Sequence, residues 1–576
     1  MPPSHHHAHA PHAHCNHAQG HGRSYAYGAV QSDENIYVVG RAHGNLSLGT
    51  VHRNGTFTDH SGTQPDPFTL STLTFSHHDA DTCCIISGGP NGTGCCDNGQ
   101  DPATTQHGMD VVLYTLDEDG APKSVYFVDT MPVDGITNGV SDKDPAEGGS
   151  VNGGSGGFSF FGAIDSFEKA GNAEHVVIAG RHRGRLSFPL SNGTLVHFDN
   201  AKFGERANGW GYNAVVAKID LGNNGLAWVT SGGMMDDIER SSAEAVATTA
   251  AGHVIAVGEL QGDDGGQFIV KFDGADGKVV WTETYPELDH LYGMDSVDEN
   301  IYVTGQFKGN GTEAFGLGNL ISLCDAGEGS DAVVFAIDAG GADGPAFTWM
   351  TQIGCGQGAS VEFSSSGTDG EYLYVAGSLS ERATTVTTTP EPTSGKGACT
   401  LTGKHGGYLA KIHKDDGKCV WAKDTPNSLR AVSDGDSVWA ANYGNNAVIY
   451  DGNHRVTPNG PNAEKDMFVA KYRADDGTAY WASAVGGIGN EQLYDMTMTS
   501  EGPMRGLRSR ACRVWREQPS SPEIASRLGS WATPTAPPSR WVTSRSTTCS
   551  TIAWAGRRTS PPAYVACSLP CSPPTT

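Results

Sequence analysis

A two-part motif recurs along this chain and constrains its fold more than any single residue does. Its first part is a short apolar strand that ends at a glycine. The copies of this strand lie at residues 35–40, 175–180, 253–258, 300–305 and 372–377, with a degenerate copy at 437–442. Its second part is an alternating strand, a turn rich in Asp and Gly, and a tryptophan. The copies of this part end at Trp228, Trp281, Trp349, Trp421 and Trp481, and an earlier copy at 110–120 lacks the tryptophan.

The spacing of the copies indicates which repeat architecture the chain adopts. The tryptophans lie 53, 68, 72 and 60 residues apart, which is too long and too uneven for helical solenoid units. Within a copy, apolar residues occupy every second position, as at Phe268, Val270 and Phe272, and this is the period of a strand. The Asp and Gly clusters supply tight turns between strands. We therefore predict an all-β fold, a β-propeller of six recognisable four-stranded blades.

The end of the repeat region predicts the domain boundary. A feeder strand precedes each apolar strand, and a seventh feeder begins at Leu493 without the usual continuation. Residues 503–576 contain ten Arg and two Glu but no Lys and no Asp, and they are rich in Ser, Pro and Thr. A shifted or intronic reading frame and a natural disordered tail both explain this change. We expect a propeller over residues 24–502, seven-bladed in its intact form, and a disordered tail over residues 503–576.

A histidine-rich segment precedes the first strand. The first 21 residues contain eight histidines, and we expect residues 1–23 to be disordered. Imidazole binds Zn, Ni and Cu, so a tract of this density predicts a site for a divalent metal ion. The candidate ligands are His5, His6, His7, His9, His12 and His14. Compositional drift without function is the alternative explanation.

The cysteines predict disulfides. The pairs Cys83–Cys84 and Cys95–Cys96 lie in an insert of about residues 77–101 and surround turn residues. A hairpin there would place Cys83 opposite Cys96 and Cys84 opposite Cys95, which would bridge a segment without its own core. Cross-pairing stays open, as does a zinc site, although such sites normally use C-x2-4-C pairs. Cys399 and Cys419, which flank a loop and a strand of one blade, are a further candidate pair. A second insert, the glycine-rich stretch of about residues 141–157, is expected to be a flexible loop.

The repeat resembles known propeller families. The strings YVTGQFKG at 302–309 and DMFVAKY at 466–472, the latter followed by a DG-x-x-x-W ending, resemble the bacterial-type beta-propeller repeat (SBBP) group. The chain is more distantly similar to quinoprotein dehydrogenases, and that resemblance implies an oxidoreductase with a quinone or metal site in the central channel. Quinoprotein enzymes place adjacent cysteines and calcium-binding acids beside the quinone. Here the adjacent cysteines lie in an inserted loop, and no stacking tryptophan or calcium-binding acid can be matched residue by residue.

The remaining motifs favour structural roles over catalytic ones. No H-E-x-x-H, EF-hand or G-x-S-x-G element occurs in the chain. The string HHDAD at 77–81 offers metal-ligand residue types at close spacing. The acid pairs at 415–416 and 475–476 each precede a glycine at the same point of the repeat, so we predict that they cap tight turns. Likewise, the recurring tryptophans are expected to pack between blades.

Charge and composition limit the partner and the compartment. Residues 1–502 hold 28 basic and 62 acidic residues, a net charge of −34, which disfavours nucleic acid and anionic membranes and favours cationic partners. No apolar run of about 18 residues and no signal-peptide pattern occurs. Scarce Lys, abundant Gly and paired cysteines predict an extracellular or lumenal location. We predict a non-enzymatic binding or scaffold module that binds a protein, glycan or surface polymer through loops on one face of the disc, with no cofactor. The quinone- or metal-dependent oxidoreductase is the alternative.

Overall fold

The computed structural model describes two parts of the chain. The first part comprises residues 15–19, 24–32, 35–42, 47–51, 57–59, 110–117 and 122–131. The second is 158–508 without 184, 193, 200–211, 224, 232–239, 262–264, 308–329, 342–343, 364–369, 380–383, 390–398, 403–405, 427–429, 445–447, 451–453, 459–464, 486–491 and 500–501. The fold is an all-β propeller of six blades, each an antiparallel sheet of four strands, as predicted.

The first seven strands form the first blade and a small separate sheet. In chain order they are β1 (Cys15–Gln19), β2 (Ser24–Ser32), β3 (Asn35–Ala42), β4 (Ser47–Val51), β5 (Phe57–Asp59), β6 (Asp110–Asp117) and β7 (Pro122–Met131). Strands β2, β3, β6 and β7 form the blade from its inner to its outer edge. Strands β1, β4 and β5 form a separate three-stranded sheet, so the histidine-rich segment contributes a described strand.

The next six strands form the second blade and extend the first. They are β8 (Phe158–Ser166), β9 (His175–Arg183), β10 (Arg185–Pro189), β11 (Leu195–Asp199), β12 (Asn213–Asp220) and β13 (Gly225–Thr230). A 3-10 helix at Phe167–Ala170 joins β8 to β9. Strands β8, β9, β12 and β13 form the blade, whereas β10 and β11 pair onto the outer edge of the first blade through β7.

The third and fourth blades follow the repeat without large insertions into their sheets. Their strands are β14 (Arg240–Thr248), β15 (Val254–Gln261), β16 (Gly266–Phe272) and β17 (Val279–Tyr285), then β18 (Leu288–Val297), β19 (Asn300–Phe307), β20 (Asp331–Asp338) and β21 (Ala346–Phe363). Strand β21 is long because its first half is the outer strand of the fourth blade and its second half is the inner strand of the fifth.

The fifth and sixth blades carry short side strands. The strands after β21 are β22 (Tyr372–Leu379), β23 (Thr384–Thr389), β24 (Cys399–Leu401), β25 (Gly406–His413) and β26 (Cys419–Pro426). The sixth blade contains β27 (Arg430–Ser433), β28 (Ser437–Gly444), β31 (Asp466–Arg473) and β32 (Ala479–Val485), and the hairpin of β29 (Val448–Tyr450) and β30 (His454–Val456) lies between β28 and β31 in the chain.

The predicted seventh feeder forms a strand. Strands β33 (Gln492–Thr499) and β34 (Gly502–Arg508) pair as a two-stranded antiparallel sheet. Strand β33 contacts β2 of the first blade on one side and β27 and β28 of the sixth blade on the other. Leu493 and Met496 are buried against the sixth blade. The hairpin therefore lies between the first and sixth blades, and its backbone pairing continues past residue 502 to Arg508.

Both faces of each blade are buried against its neighbours, which explains the apolar strands of the repeat. On β20, Val333, Phe335 and Ile337 pack against the third blade. The intervening Ala332, Val334 and Ala336 pack against the fifth blade. Successive side chains of a strand point to opposite faces, so a strand between two sheets must be apolar throughout.

The recurring tryptophans pack between blades, as predicted. The indole N–H of Trp228 donates to the carbonyl of Gly274 in the third blade at 3.0 Å. Trp349 donates in the same way to a turn of the fifth blade at 2.8 Å, and Trp421 to a turn of the sixth blade at 3.1 Å. A lysine of the same blade often binds the same turn, and Lys218 donates to Gly274 at 2.9 Å. Each of these turns is therefore held by the preceding blade.

The turn that receives a tryptophan requires glycine. Gly277 has a φ of 73°, and a Cβ there would lie 2.7 Å from Cε3 of Trp228. Only glycine accepts this backbone conformation together with so close an aromatic ring. The second member of each acid pair caps its turn, as predicted, because Asp416 and Asp476 accept hydrogen bonds from backbone N–H groups two residues later. The first members, Asp415 and Asp475, instead accept from the side chains of Lys414 and Arg473.

Candidate functional site

Most of the sequence-predicted site residues lie outside the described residues. This holds for His5, His6, His7, His9, His12 and His14, for Cys83, Cys84, Cys95 and Cys96, and for the segment 77–81. The predicted pair Cys399–Cys419 is confirmed as a disulfide with a Cα–Cα distance of 5.9 Å, and it joins β24 to β26. A disulfide is consistent with an oxidising compartment. In the part of the chain that the structure describes, no three His, Cys, Asp or Glu side chains are grouped so that they could hold a metal ion.

The two ends of the disc differ in the length of their connections. At one end, short turns join the first strand of a blade to the second and the third to the fourth, as at 249–253 and 273–278. At the other end, longer segments join the second strand to the third, as at 308–330 and 380–405. We call this second end the long-connection end. Long connections are where propellers and other rigid scaffolds usually carry their binding residues.

Inner strands carry a β-bulge close to the long-connection end. The register shifts lie between Ala26 and Gly28, Phe161 and Ala163, Ala243 and Ala245, Leu291 and Gly293, Gly358 and Ser360, and Leu493 and Asp495. A bulge leaves one residue without a cross-strand partner and changes the direction of its side chain. In three of these strands that residue is a tyrosine, at Tyr27, Tyr292 and Tyr494.

The inner strand of the fourth blade has a second bulge. Its register shifts between Leu288 and His290 as well as between Leu291 and Gly293, so both Asp289 and Tyr292 lack a cross-strand partner. The strand then runs so close to β19 that a Cβ on Gly305 would lie 2.3 Å from the carbonyl oxygen of His290. This explains why the apolar strand of the repeat ends at a glycine here.

A buried amide of the third blade holds the doubly bulged segment. Gln267 is 2% exposed. Its Nε2 donates to the carbonyl of Asp289 at 2.8 Å, and its Oε1 accepts from the backbone N–H of Leu291 at 3.1 Å. Both amide atoms are satisfied by the irregular backbone, so the contact fixes the position of the bulges relative to the neighbouring blade.

The Asp289 side chain is held by two polar neighbours. Its Oδ2 accepts from Nε2 of Gln306 at 2.8 Å and from Oγ of Ser330 at 3.0 Å. Gln306 is 3% exposed, and its Oε1 is a buried acceptor without a hydrogen-bond partner. The carboxylate is thus fixed through its Oδ2, and the amide group that donates to it keeps an unsatisfied oxygen.

Carboxylates and aromatic rings surround this point. Burial raises the pKa of the Tyr292 hydroxyl to about 12, and the negative charges of Asp289, Glu244 and Glu259 add to the increase. The His290 and Tyr292 rings are 5.5 Å apart with an interplanar angle of 38°. We call Glu244, Glu259, Asp289, His290 and Tyr292 the rim cluster. Its members are all half-buried and come from the inner and second strands of the third blade and the inner strand of the fourth.

A second charged contact lies where the ring closes. Oδ2 of Asp495 accepts from the backbone N–H of Ala29 in the first blade at 2.8 Å, and its Oδ1 is 3.1 Å from Nε of Arg430 in the sixth blade. Burial raises the pKa of the Asp495 carboxyl, although Arg430 and the backbone donors oppose the increase. Asp495 therefore joins three parts of the ring, and we assign it a structural role.

Neither the rim cluster nor Asp495 was predicted from the sequence. A usable signal exists in the feeder strands, because Tyr27–Gly28, Tyr292–Gly293 and Tyr494–Asp495 occupy the same place in their copies. Aligning those copies shows a large aromatic residue at a bulge. The second bulge at Asp289 leaves no comparable repeat signal, because β18 is the one inner strand with it in the described part of the chain.

No protein-family model matches this chain, and no curated protein matches it. The SBBP resemblance therefore stays a prediction. Among the described residues, no helix is long and apolar enough to cross a membrane.

Solved structures with detectable similarity are distant. BamB from Moraxella catarrhalis is 10% identical with a TM-score of 0.26, and the match covers 56% of this chain and 79% of that one. Saccharomyces cerevisiae Sqt1 is 7% identical with a TM-score of 0.34, covering 96% and 98% of the two chains. The acylaminoacyl peptidase from Pyrococcus horikoshii is 7% identical with a TM-score of 0.33, covering 85% of this chain and 49% of that one. Values this low carry no argument about function.

Proposed function

We propose that this propeller is a non-enzymatic binding module that binds a cationic segment of a partner protein at its long-connection end. The supporting observation is the rim cluster, in which three carboxylates surround a half-buried tyrosine on bulged strands. Rigid strands position these groups better than a loop would. The propeller region is also strongly acidic, and this favours encounter with positively charged partners.

Charge complementarity supports a protein partner over a neutral glycan. In the described residues, neither Glu244, Glu259 nor Asp289 forms an ion pair with a lysine or arginine of this chain. Their negative charge is therefore available to a partner, and desolvated charge pairs at an interface contribute both specificity and association rate. We further propose that the partner is met in an extracellular or lumenal compartment, which the Cys399–Cys419 disulfide supports.

The test is binding of a fluorescent decapeptide of alternating lysine and glycine, followed by anisotropy. The combined variant Glu244→Gln and Glu259→Gln should weaken binding at least about tenfold, since it removes two charges from the site. The matched control, Glu283→Gln with Glu371→Gln, removes two exposed charges away from the rim cluster and should change little. Binding should also fall between 0.1 and 1 M salt, where the Debye length shrinks from about 10 Å to about 3 Å.

Two results would contradict this function. Equal weakening by both pairs of variants would mean that only the net charge of the protein matters. A stoichiometric bound chromophore in the purified protein, with turnover that depends on quinone or calcium, would favour the oxidoreductase alternative.

A further inference from the structure

Starting from the proposed function, we propose that the rim cluster recognises one side-chain chemistry, the guanidinium group of an arginine in the partner protein. Asp289 and the amide oxygen of Gln306 accept its N–H groups, and the rings of His290 and Tyr292 give it a stacking surface.

The unsatisfied oxygen of Gln306 is the observation that carries this inference. Nε2 of Gln306 is bound to Asp289, so its Oε1, attached to the same carbon, lies beside the same carboxylate. That oxygen is buried and has no hydrogen-bond partner. A buried polar atom left unsatisfied costs about 1–3 kcal/mol, so a ligand that donates a hydrogen bond to it gains affinity.

The shape of the acceptor set favours guanidinium over ammonium. The Asp289 carboxylate and the Gln306 amide are linked by one Nε2–Oδ2 hydrogen bond, so the set offers carboxylate and amide oxygens as acceptors from two adjoining groups. Guanidinium presents five N–H donors in a planar fork and can bond to two adjoining acceptor groups at once, whereas ammonium is a compact and strongly hydrated charge. Neutral donors match the oxygens but not the surrounding charge of Glu244 and Glu259.

The aromatic residues favour the same ligand. His290 and Tyr292 lie 5.5 Å apart and are inclined by 38°, so their faces do not stack flat on each other. Both side chains are half-buried. Guanidinium stacks on aromatic faces as well as binding carboxylates, and a cation over a tyrosine or histidine face within about 6 Å is attracted to it.

Among the described inner strands, the double bulge that provides these groups occurs in the fourth blade. The extra residue at Asp289 brings the carboxylate to Gln306 and Ser330, and Gln267 of the third blade holds the bulged backbone. The inner strands of the first, second and third blades carry a single bulge. Recognition of arginine is therefore assigned to the junction between the third and fourth blades.

The experiment compares three decapeptides in which glycine alternates with arginine, lysine or citrulline. Citrulline has the shape of arginine without its charge. The full chain should bind the arginine peptide at least about tenfold more tightly than the lysine peptide, and the citrulline peptide more weakly still. Asp289→Asn should remove most of the preference for arginine, and Tyr292→Leu should reduce arginine binding severalfold. Glu283→Gln is the control that should leave the preference unchanged.

The outcomes separate this inference from the proposed function. Suppose the arginine and lysine peptides bind equally well, and binding of both is lost in the Glu244→Gln and Glu259→Gln variant but not in Asp289→Asn. That result would refute arginine recognition and leave the proposed function intact. Failure of every cationic peptide to bind would refute both. Competition by calcium chloride at constant ionic strength, lost in Asp289→Asn, would overturn the inference in favour of a cation site. If thermal unfolding shows that Asp289→Asn does not fold, the Tyr292→Leu variant still tests the stacking part, and the three peptides on the unaltered protein test the preference for arginine.

Discussion

The substitution Gly277→Ala tests the packing between blades most sharply. Gly277 has a φ of 73°, and its Cβ position lies 2.7 Å from the ring of Trp228 in the preceding blade. A left-handed backbone costs a residue with a side chain about 1–2 kcal/mol. Overpacking against a fixed ring costs about 1–3 kcal/mol more. The two contributions together predict a loss of about 2–5 kcal/mol in the free energy of unfolding.

The chain offers a matched control for the backbone contribution. Gly171 also has a φ of 73°, but nothing lies within 4 Å of the position of a Cβ. Gly171→Ala should therefore cost only the backbone contribution, about 1–2 kcal/mol. The difference between the two alanine variants isolates the contact with the tryptophan.

Urea unfolding monitored by tryptophan fluorescence and by circular dichroism measures both variants. A further variant combines Gly277→Ala with Trp228→Leu, and the steric part of the penalty should be absent there because the ring is gone. A packing role for the Gly277–Trp228 contact is refuted if Gly277→Ala loses no more stability than Gly171→Ala. It is also refuted if the penalty at Gly277 is the same with and without the tryptophan ring.

Two further predictions concern the disulfide and the response to acid. Cys399→Ser should lower the free energy of unfolding by about 3 kcal/mol, because Cys399 and Cys419 close a loop with a sequence separation of 20. With reductant present, the wild type and the variant should unfold at the same midpoint, and a difference that persists would contradict this. Burial holds the pKa of His175 below its ordinary value of 6.5, and the positive charge of Lys218 lowers it further. The negative charges of Asp220 and Glu174 oppose this decrease. As the pH falls, His175 is therefore protonated in the unfolded chain before it is protonated in the folded protein. The stability that comes from burying the neutral imidazole is present above about pH 6.5 and is lost on acidification. Thermal unfolding between about pH 7 and 5 should show a shallower loss for His175→Gln, and parallel curves would count against the argument.

The architecture could be predicted from sequence because its signals are periodic. Strands such as Asp331–Asp338 are apolar on both faces, and that pattern arises where both faces of a sheet are covered. The tryptophans and the Asp–Gly turns recur because each blade makes the same contact with the next. Repetition thus made weak local signals recognisable, and the packing role predicted for Trp228 and its counterparts followed from their shared position.

The candidate site could not be predicted in the same way, because it depends on a departure from the repeat. The partner of Asp289 is Gln306, in the next strand, and the segment is held by Gln267 from another blade. Such contacts are set by a one-residue change in register, and the alternation of polar and apolar residues does not encode an extra residue. The histidine tract and the adjacent cysteines were conspicuous in composition, but they lie outside the described residues and stay predictions.

Hydrogen exchange with and without the bound arginine–glycine peptide tests the central claim, that the long-connection end between the third and fourth blades is the binding surface. Peptide binding should slow exchange in Leu288–Val297 and at the end of Val254–Gln261, where the rim cluster lies. The turns at 273–278 and 414–418, at the opposite end of the disc, should exchange at the same rate in both samples. Protection of those turns with none in Leu288–Val297 would contradict the account.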